Sequence, residues 1–135
     1  MKSNSVTQRF VDAWNSLDPE RVAEIYGEGG THEDVARGGV YRGREAIKAF
    51  VAEAAQRVDR RFVATSEQAS GDFYAVEWES SGTRISESAG TQTTNDHQLR
   101  GVSVGRLDGT GKIAENRDYY NPADLMRQPG GSTPT

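Results

Sequence analysis

The spacing of apolar residues changes once along this chain, and the change divides it into two kinds of secondary structure. Up to Asp59 apolar side chains recur about every 3.6 residues, as in helices, and beyond it they alternate, as in strands. Helices followed by strands, with no linker or internal repeat, are typical of an α+β domain. We therefore expect a single domain over residues 1–127 and a disordered tail over 128–135, where Pro and Gly are frequent.

The first part predicts three helices and a brief extended piece around Val40 and Tyr41. The second helix begins at Asp18-Pro19-Glu20, where an N-cap acid precedes proline, and ends at Gly27, with Val22, Ile25 and Tyr26 facing inward. The first and third helices each carry one apolar stripe, formed by Val6, Phe10, Ala13, Trp14 and Leu17 and by Ile47, Phe50, Val51, Ala54 and Val58.

The second part predicts an antiparallel meander. Strands are expected over 62–68 and 73–80, the latter ended by Ser81-Gly82, and a polar segment over 83–95 holds part of another strand and a loop. Two further strands, over 97–107 and 113–120, are joined by a tight turn at Asp108-Gly109-Thr110-Gly111.

Composition excludes several classes of protein. The net charge of -4 is spread without basic clusters, which argues against a nucleic-acid partner. There are no cysteines for a disulfide or thiolate site, and the two histidines lack ligand spacing, so we expect no metal and no cofactor. No apolar stretch reaches membrane-spanning length and the first seven residues lack a signal-type apolar run, which predicts a cytoplasmic protein with no membrane partner.

Four short motifs in this order resemble one superfamily. They are Phe10-Val11-Asp12-Ala13-Trp14-Asn15 with Leu17-Asp18-Pro19-Glu20, Gly39-Val40-Tyr41-Arg42-Gly43-Arg44-Glu45-Ala46-Ile47, Arg100-Gly101-Val102-Ser103-Val104, and Gly111-Lys112-Ile113 with Arg117-Asp118-Tyr119-Tyr120-Asn121. Together they resemble the SnoaL-like branch of the nuclear transport factor two-like superfamily, the ketosteroid isomerase-like fold. The resemblance implies a cone-shaped antiparallel sheet that wraps the N-terminal helices around an apolar pocket, usually in a homodimer.

Asp118 is the first candidate for catalysis. Alternation places Asn116, Asp118 and Tyr120 on one face of their strand, and the resemblance implies that this face lines the pocket. A carboxylate buried in an apolar pocket is suited to proton transfer near neutral pH. The alternative is an ion pair with Arg100 or Arg117.

Asp34 is the second candidate. The segment Thr31-His32-Glu33-Asp34 resembles the one that carries the general base of ketosteroid isomerases. However, Phe10 stands where those enzymes have an oxyanion tyrosine, and Ser103 where they have a protonated aspartate, so true ketosteroid isomerase activity is not expected. A turn acid is the alternative for Asp34.

The epoxide hydrolase pattern of the superfamily is matched at one position. Those enzymes carry an Arg and an Asp two residues apart on the strand before their final aspartate. This chain has Gly101 and Ser103 there, so only Asp118 carries over.

The remaining pocket residues are assigned from their faces and their chemistry. His97 shares a face with Ser103 and is a third catalytic candidate, as a proton relay, with a simple hydrogen-bonding role at the pocket mouth as the alternative. Residues expected to contact an apolar ligand, each of which could equally be plain core, are Trp14, Tyr26, His32, Phe50, Val76, Trp78, Ser103, Asn116 and Tyr120. Val102, Val104 and Leu107 suggest an apolar outer face and a homodimer contact.

These features predict a cofactor-independent acid/base enzyme that acts on an apolar, polycyclic carbonyl compound, of the polyketide cyclase or isomerase kind. Asp118 would act as the acid/base and Asn116, Tyr120 and His97 would orient the substrate. Two alternatives stay open from the sequence. One is a non-catalytic ligand-binding or dimeric assembly module, and the other is an epoxide hydrolase-like enzyme.

Overall fold

A computed structural model describes residues 6–124, with backbone only at positions 57, 58, 84–86, 88, 94 and 95. The tail predicted at 128–135 lies outside the described residues. Three helices precede most of the sheet. The elements are α1 Val6–Ser16, α2 Pro19–Glu24, β1 Tyr26–Asp34, β2 Gly39–Arg42, α3 Arg44–Arg57, β3 Val58–Ser70, β4 Phe73–Ser88, β5 Thr91–Leu107 and β6 Ile113–Tyr120.

The strands form one curved six-stranded sheet in the order β2-β1-β6-β5-β4-β3. Neighbours pair antiparallel except β1 and β6, which run parallel with Asp34 beside Asp118. The predicted α+β fold, with helices before a curved sheet, is confirmed, and the parallel pair is a departure from the fully antiparallel sheet that was expected. The pair consists of the first and last strands of the described residues, which are neighbours in the sheet.

The sequence did not predict β1. The second helix was expected to continue to Tyr26, but α2 ends at Glu24 and Tyr26 already belongs to the sheet. Gly29 and Gly30 gave this segment the composition of a loop. Its strand conformation comes from pairing with β2 on one side and β6 on the other, so tertiary contacts override a weak local preference.

The expected break at Ser81-Gly82 is also wrong. Strand β4 passes through both residues and turns only at Ala89-Gly90, where both residues have positive φ. Gly82 lies so close to the β3 backbone that a Cβ there would overlap the Asp59 carbonyl oxygen. The glycine therefore permits a close approach of two strands and does not end one.

The helices cover the concave face of the sheet and bury a single core. The Asn15 side chain of α1 donates to the Phe62 carbonyl oxygen (3.1 Å) and accepts from the Phe62 amide (2.7 Å), which satisfies part of the free edge of β3. The core contains Phe10, Ala13, Trp14, Val22, Tyr26, Ile47, Val51, Phe62, Tyr74, Val76, Trp78, Leu99 and Ile113. Among the described helices none is long and apolar enough to cross a membrane.

Candidate active site

A cavity of about 510 Å³ opens between the helices and the concave face of the sheet. Its walls are mostly aromatic, with charged groups from β1, β3 and β6. The lining residues are Phe10, Trp14, Leu17, His32, Asp34, Arg37, Gly39, Tyr41, Phe50, Glu53, Ala54, Arg60, Phe62, Trp78, Glu87, Leu99, Ser103, Asp118 and Tyr120.

Asp118 is held by side chains from two neighbouring strands and faces the cavity. Ser103 Oγ donates to its Oδ1 at 2.6 Å, and Asn116 Nδ2 donates to the same oxygen at 2.8 Å. The Asp118 side chain is 20% exposed, and its Oδ2 lies 3.5 Å from His32 Nε2. Oδ1 is therefore fixed by two donors, while Oδ2 is left for His32 and for a ligand in the cavity.

His32 is a buried residue that faces Asp118 Oδ2. Its ring is 1% exposed, and burial lowers its pKa, although Asp118 and Asp34 act in the opposite direction. The Tyr26 hydroxyl lies 2.8 Å from Nδ1, and burial raises the pKa of Tyr26 well above its usual value, so this hydroxyl keeps its proton. Asn116 Nδ2 lies 3.4 Å from the same nitrogen. Two donors at Nδ1 assign the hydrogen to Nε2, where it faces Asp118.

Behind these groups the network continues into the core. Tyr74 donates to Asn116 Oδ1 at 2.7 Å, which fixes the orientation of the amide that donates to Asp118. Trp78 Nε1 donates to Ser103 Oγ at 2.9 Å, which in turn leaves the serine hydrogen for Asp118. Each donor of the carboxylate is therefore positioned by a further buried side chain, a form of preorganisation found in catalytic sites.

Asp34 forms a separate group at the end of β1. The Tyr120 hydroxyl donates to Asp34 Oδ2 at 2.9 Å, and the Arg37 amide donates to Oδ1 at 3.2 Å. Burial and the Asp34 charge raise the pKa of Tyr120. Asp34 thus combines the turn-capping role expected as one alternative with a place in the cavity wall, and its role as a base stays a prediction.

The aromatic wall has a flat stacked centre. The rings of Tyr41 and Phe50 stack with centroids 4.3 Å apart. The His32 ring lies 5.4 Å from Phe50 and 5.1 Å from Trp14. This side of the cavity offers a flat apolar surface next to His32 and Asp118, which is suited to a planar ligand.

Most of the predicted site residues line the cavity. They are Asp118, Asp34, Trp14, His32, Phe50, Trp78, Ser103 and Tyr120. Four others do not. Tyr26 and Val76 are fully buried in the core, and Asn116 lies behind Asp118 as its hydrogen-bond donor. His97 is buried on β5 opposite Gly82, two residues further towards the Ala89-Gly90 turn than Leu99, and it is not among the residues that line the cavity.

Tyr41, Arg37 and Arg60 are among the cavity residues that were not predicted from the sequence. Tyr41 was assigned only to an extended piece, and its stacking partner lies on α3, which no local pattern could reveal. Arg37 and Arg60 were not considered, since charged residues in polar segments read as solvent-exposed. The alternation of β3, which places Arg60 on the same face as Phe62, was the signal available for Arg60.

At positions 10, 101 and 103 this chain lacks the residues expected of ketosteroid isomerases and epoxide hydrolases, and the packing shows what lies there instead. Phe10 and Ser103 both line the cavity, and the second of them is engaged with Asp118. A Cβ at Gly101 would lie 2.5 Å from Cη2 of Trp78, so the tryptophan occupies the space that an arginine would need there. Arg117, one of the expected ion-pair partners of Asp118, instead donates to Tyr119.

In the described part of the chain no group of three His, Asp or Glu side chains is placed to hold a metal ion.

Solved structures match this fold over nearly its whole length. A protein with a ketosteroid isomerase-like fold from Catenulispora acidiphila DSM 44928, solved in complex with trimethylamine, aligns with a TM-score of 0.80 and 22% identity over 95% of this chain and 94% of that one. A protein assigned as a polyketide cyclase from Pseudomonas putida KT2440 aligns with a TM-score of 0.80 and 22% identity over 96% and 99%.

A third structure is the epoxide hydrolase/cyclase-like enzyme SalBIII of pyran ring formation in the polyether salinomycin. It aligns with a TM-score of 0.75 and 21% identity over 91% of this chain and 93% of that one. No curated protein matches the sequence. The family model of the SnoaL-like domain matches residues 7–116, and the chain belongs to that family.

Proposed function

We propose that this protein is a cofactor-independent acid/base enzyme that acts on an apolar, polycyclic carbonyl compound, as a polyketide cyclase or isomerase does. The observation that carries the proposal is the placement of Asp118. Asp118 lines an aromatic cavity with its side chain 20% exposed, one carboxylate oxygen is fixed by two donors, and the other lies 3.5 Å from His32 Nε2. A general base needs this combination of a fixed orientation and a free basic atom.

The proposed chemistry begins with proton abstraction. Asp118 Oδ2 takes a proton from the carbon next to the substrate carbonyl, and the electron pair of that C–H bond moves to the carbonyl oxygen as an enolate. In a cyclase the enolate carbon then attacks a second carbonyl of the same molecule, and the resulting alkoxide takes the proton back from Asp118. In an isomerase the proton returns to a different carbon. Both reactions are balanced without an external oxidant or reductant.

The neighbouring groups give each step a structural basis. His32, neutral and with its hydrogen on Nε2, faces the oxygen that gains and loses the proton. The flat surface of Tyr41 and Phe50 would hold a ring system beside that oxygen. The family match and the neighbours assigned as polyketide cyclases or ring-forming enzymes support this class of reaction.

Exchange of hydrogen for deuterium tests the proposal without knowledge of the natural substrate. The ketone β-tetralone would be incubated with the protein in D₂O, and loss of its α-proton signals followed by NMR. We expect catalysed exchange, lowered at least about a hundredfold in Asp118→Asn. Asp12→Asn, on the exposed face of α1, is the surface control. Full exchange by a folded Asp118→Asn variant would exclude Asp118 as the base.

Asp34→Asn separates the two acids. Because Asp34 is engaged by Tyr120 and by the Arg37 amide, we expect this variant to keep most of the exchange rate. A loss confined to Asp34→Asn would transfer the role of base to Asp34.

Ligand binding without turnover is the second candidate function, and two observations favour it. The cavity is walled by aromatic rings, and one structural neighbour was solved with trimethylamine. In that case no exchange would occur, and Asp118→Asn would bind neutral ring compounds with unchanged affinity. An epoxide hydrolase-like reaction is less well supported, because Trp78 fills the space beside Gly101.

A further inference from the structure

Arg60 places a positive charge in the cavity wall. Its neighbours in the sequence suggest instead that it is exposed to solvent. It lies between Asp59 and Arg61, which are both exposed, but the alternation of β3 turns Arg60 inward with Phe62. Its guanidinium carbon lies 5.5 Å from the centroid of the Phe62 ring. Arg60 is therefore half-buried against an aromatic surface, whereas Arg61 faces solvent from the same strand.

Within the described residues no carboxylate lies at ion-pair distance from Arg60. The charged side chains close enough to affect its pKa are Asp118, Arg37 and Asp34. Burial lowers that pKa, yet a guanidinium group in a protein stays protonated. The two aspartates are already held by other donors, Asp118 by Ser103 and Asn116 and Asp34 by Tyr120.

A half-buried cation without an ion-pair partner is costly, and a ligand can supply the missing charge. The planar guanidinium fork binds two oxygens at once and favours carboxylates and related anions over neutral groups. Arg60 and both aspartates line the same cavity, and the ring of Phe62 beside the guanidinium offers apolar contact to a ligand there.

We propose that Arg60 binds an anionic oxygen of the ligand, so that the natural ligand is an apolar ring compound with a carboxylate or an enolate oxygen at one end. This inference rests on the proposed function for the enolate case only. When Asp118 takes a proton, the negative charge moves from the aspartate to the substrate oxygen, and a fixed cation in the cavity wall stabilises it there. Arg60 would supply the stabilisation that Phe10 and Ser103 cannot.

Binding of a matched pair of probes tests the carboxylate case. Naphthalene carboxylate and naphthalene carboxamide have the same ring and nearly the same shape, and differ in charge. By titration calorimetry we expect the protein to bind the carboxylate at least tenfold more tightly. Arg60→Gln should remove this preference and keep the affinity for the amide within about twofold. Arg61→Gln, on the outer face of the same strand, is the matched control and should behave as the unmodified protein.

A variant that keeps the positive charge at position 60 shows whether a loss of binding in Arg60→Gln comes from the missing charge or from misfolding. Arg60→Lys places an ammonium group in the same region without the planar fork, and should retain part of the preference. Equal affinity of the unmodified protein for both probes, no binding of either, or a preference that survives Arg60→Gln would overturn the proposal.

The deuterium exchange of β-tetralone tests the enolate case separately. If Arg60 stabilises the enolate, Arg60→Gln should lower the exchange rate at saturating ketone more than it raises the KM, because the charge appears only as the proton leaves. A carboxylate preference without any exchange would support Arg60 as the anion-binding residue and remove the enzyme proposal. Exchange that is insensitive to Arg60→Gln would exclude the enolate role.

Discussion

Ser103 Oγ donates to Asp118 Oδ1 at 2.6 Å and at the same time accepts a hydrogen bond from Trp78 Nε1. One hydroxyl therefore connects a core tryptophan on β4 with the carboxylate on β6. Ser103 is fully buried, so no water competes for either bond. The orientation of Asp118 depends on how Trp78 packs, although the two side chains lie on strands that are not neighbours.

Replacement of Ser103 by alanine should weaken both the fold and the site. The indole N–H of Trp78 would lose its acceptor, and a buried donor without a partner costs about 1–3 kcal/mol. Asp118 would keep one of its two donors to Oδ1, so we expect deuterium exchange of β-tetralone to fall by about tenfold. Urea unfolding and the exchange assay measure the two effects.

Ser80→Ala is the matched control for that variant. Ser80 is almost equally buried, on β4 beside Leu99, and its hydroxyl has no hydrogen-bond partner among the described residues. Its removal should leave the exchange rate unchanged. Equal losses of exchange in both variants would show that Ser103 acts only through general stability.

Gly101→Ala should disturb the site by displacing Trp78, the same tryptophan that donates to Ser103. A Cβ at position 101 would lie 2.5 Å from Trp78 Cη2 and 2.7 Å from the Tyr119 carbonyl oxygen, so the indole ring must move. We expect a loss of about 1–3 kcal/mol in unfolding free energy, typical of overpacking, together with slower exchange. Gly109→Ala is the control, because nothing lies within 4 Å of a Cβ there. An unchanged Gly101→Ala variant would contradict the packing of Trp78.

His32 should make the stability of the protein depend on pH in a narrow window. Burial lowers the pKa of His32 in the folded protein below its ordinary value of 6.5, which applies in the unfolded chain. As the pH falls below about 6.5, the unfolded chain takes up a proton that the folded protein does not. The free energy of unfolding should therefore decrease with falling pH, by up to about 1.4 kcal/mol per unit.

Urea unfolding between pH 7.5 and about pH 5, where most carboxylates do not yet titrate, measures this slope. His32→Gln should flatten it, whatever its effect on the stability at pH 7.5. His97→Gln is the control for the second buried histidine. If the slope persists in His32→Gln and disappears in His97→Gln, the pH dependence comes from His97, and the prediction for His32 is wrong.

We also propose that the outer face of the sheet forms a homodimer. Val63 and Tyr119 are 61% and 40% exposed there, and Tyr119 pairs with Val102 across β5 and β6. Val102→Glu should place a charge in that contact and shift the sedimentation coefficient from dimer to monomer. Val40→Glu, on the edge strand β2, should leave it unchanged. A monomeric unmodified protein would contradict the proposal. Leu107, once assigned to this face, packs against the core instead.

How far the sequence predicts this molecule depends on whether a feature is local. The helix over 6–16 and the hairpin around Asp108 follow from spacing and turn residues, and alternation places Asp118 on the inner face. Strand β1 could not be predicted, because its glycines favour a loop and only pairing with β2 and β6 makes it extended. The contact of His32 with Asp118 depends on that strand and was hidden for the same reason.

The sequence predicts which face of a strand a residue lies on better than it predicts whether that residue reaches the cavity. His97 shares the alternation of Ser103, but it is not among the residues that line the cavity, and periodicity carries no information about where a pocket ends. Arg60 shows the reverse case. It stands in the charged run Asp59-Arg60-Arg61, which suggests a solvent-exposed turn, and only its strand register turns it inward.

The parallel pairing of β1 with β6 also sets the order in which the protein can become functional during its synthesis. His32 and Asn116 are 84 positions apart, and the strand that carries Asp118 is the last one in the described chain. Until β6 has left the ribosome, β1 has one unpaired edge, which is open to incorrect pairing with other chains. A nascent or truncated chain that ends before β6 would have most of the aromatic wall and His32 but not Asp118, so the proposed activity would appear only on completion of the last strand.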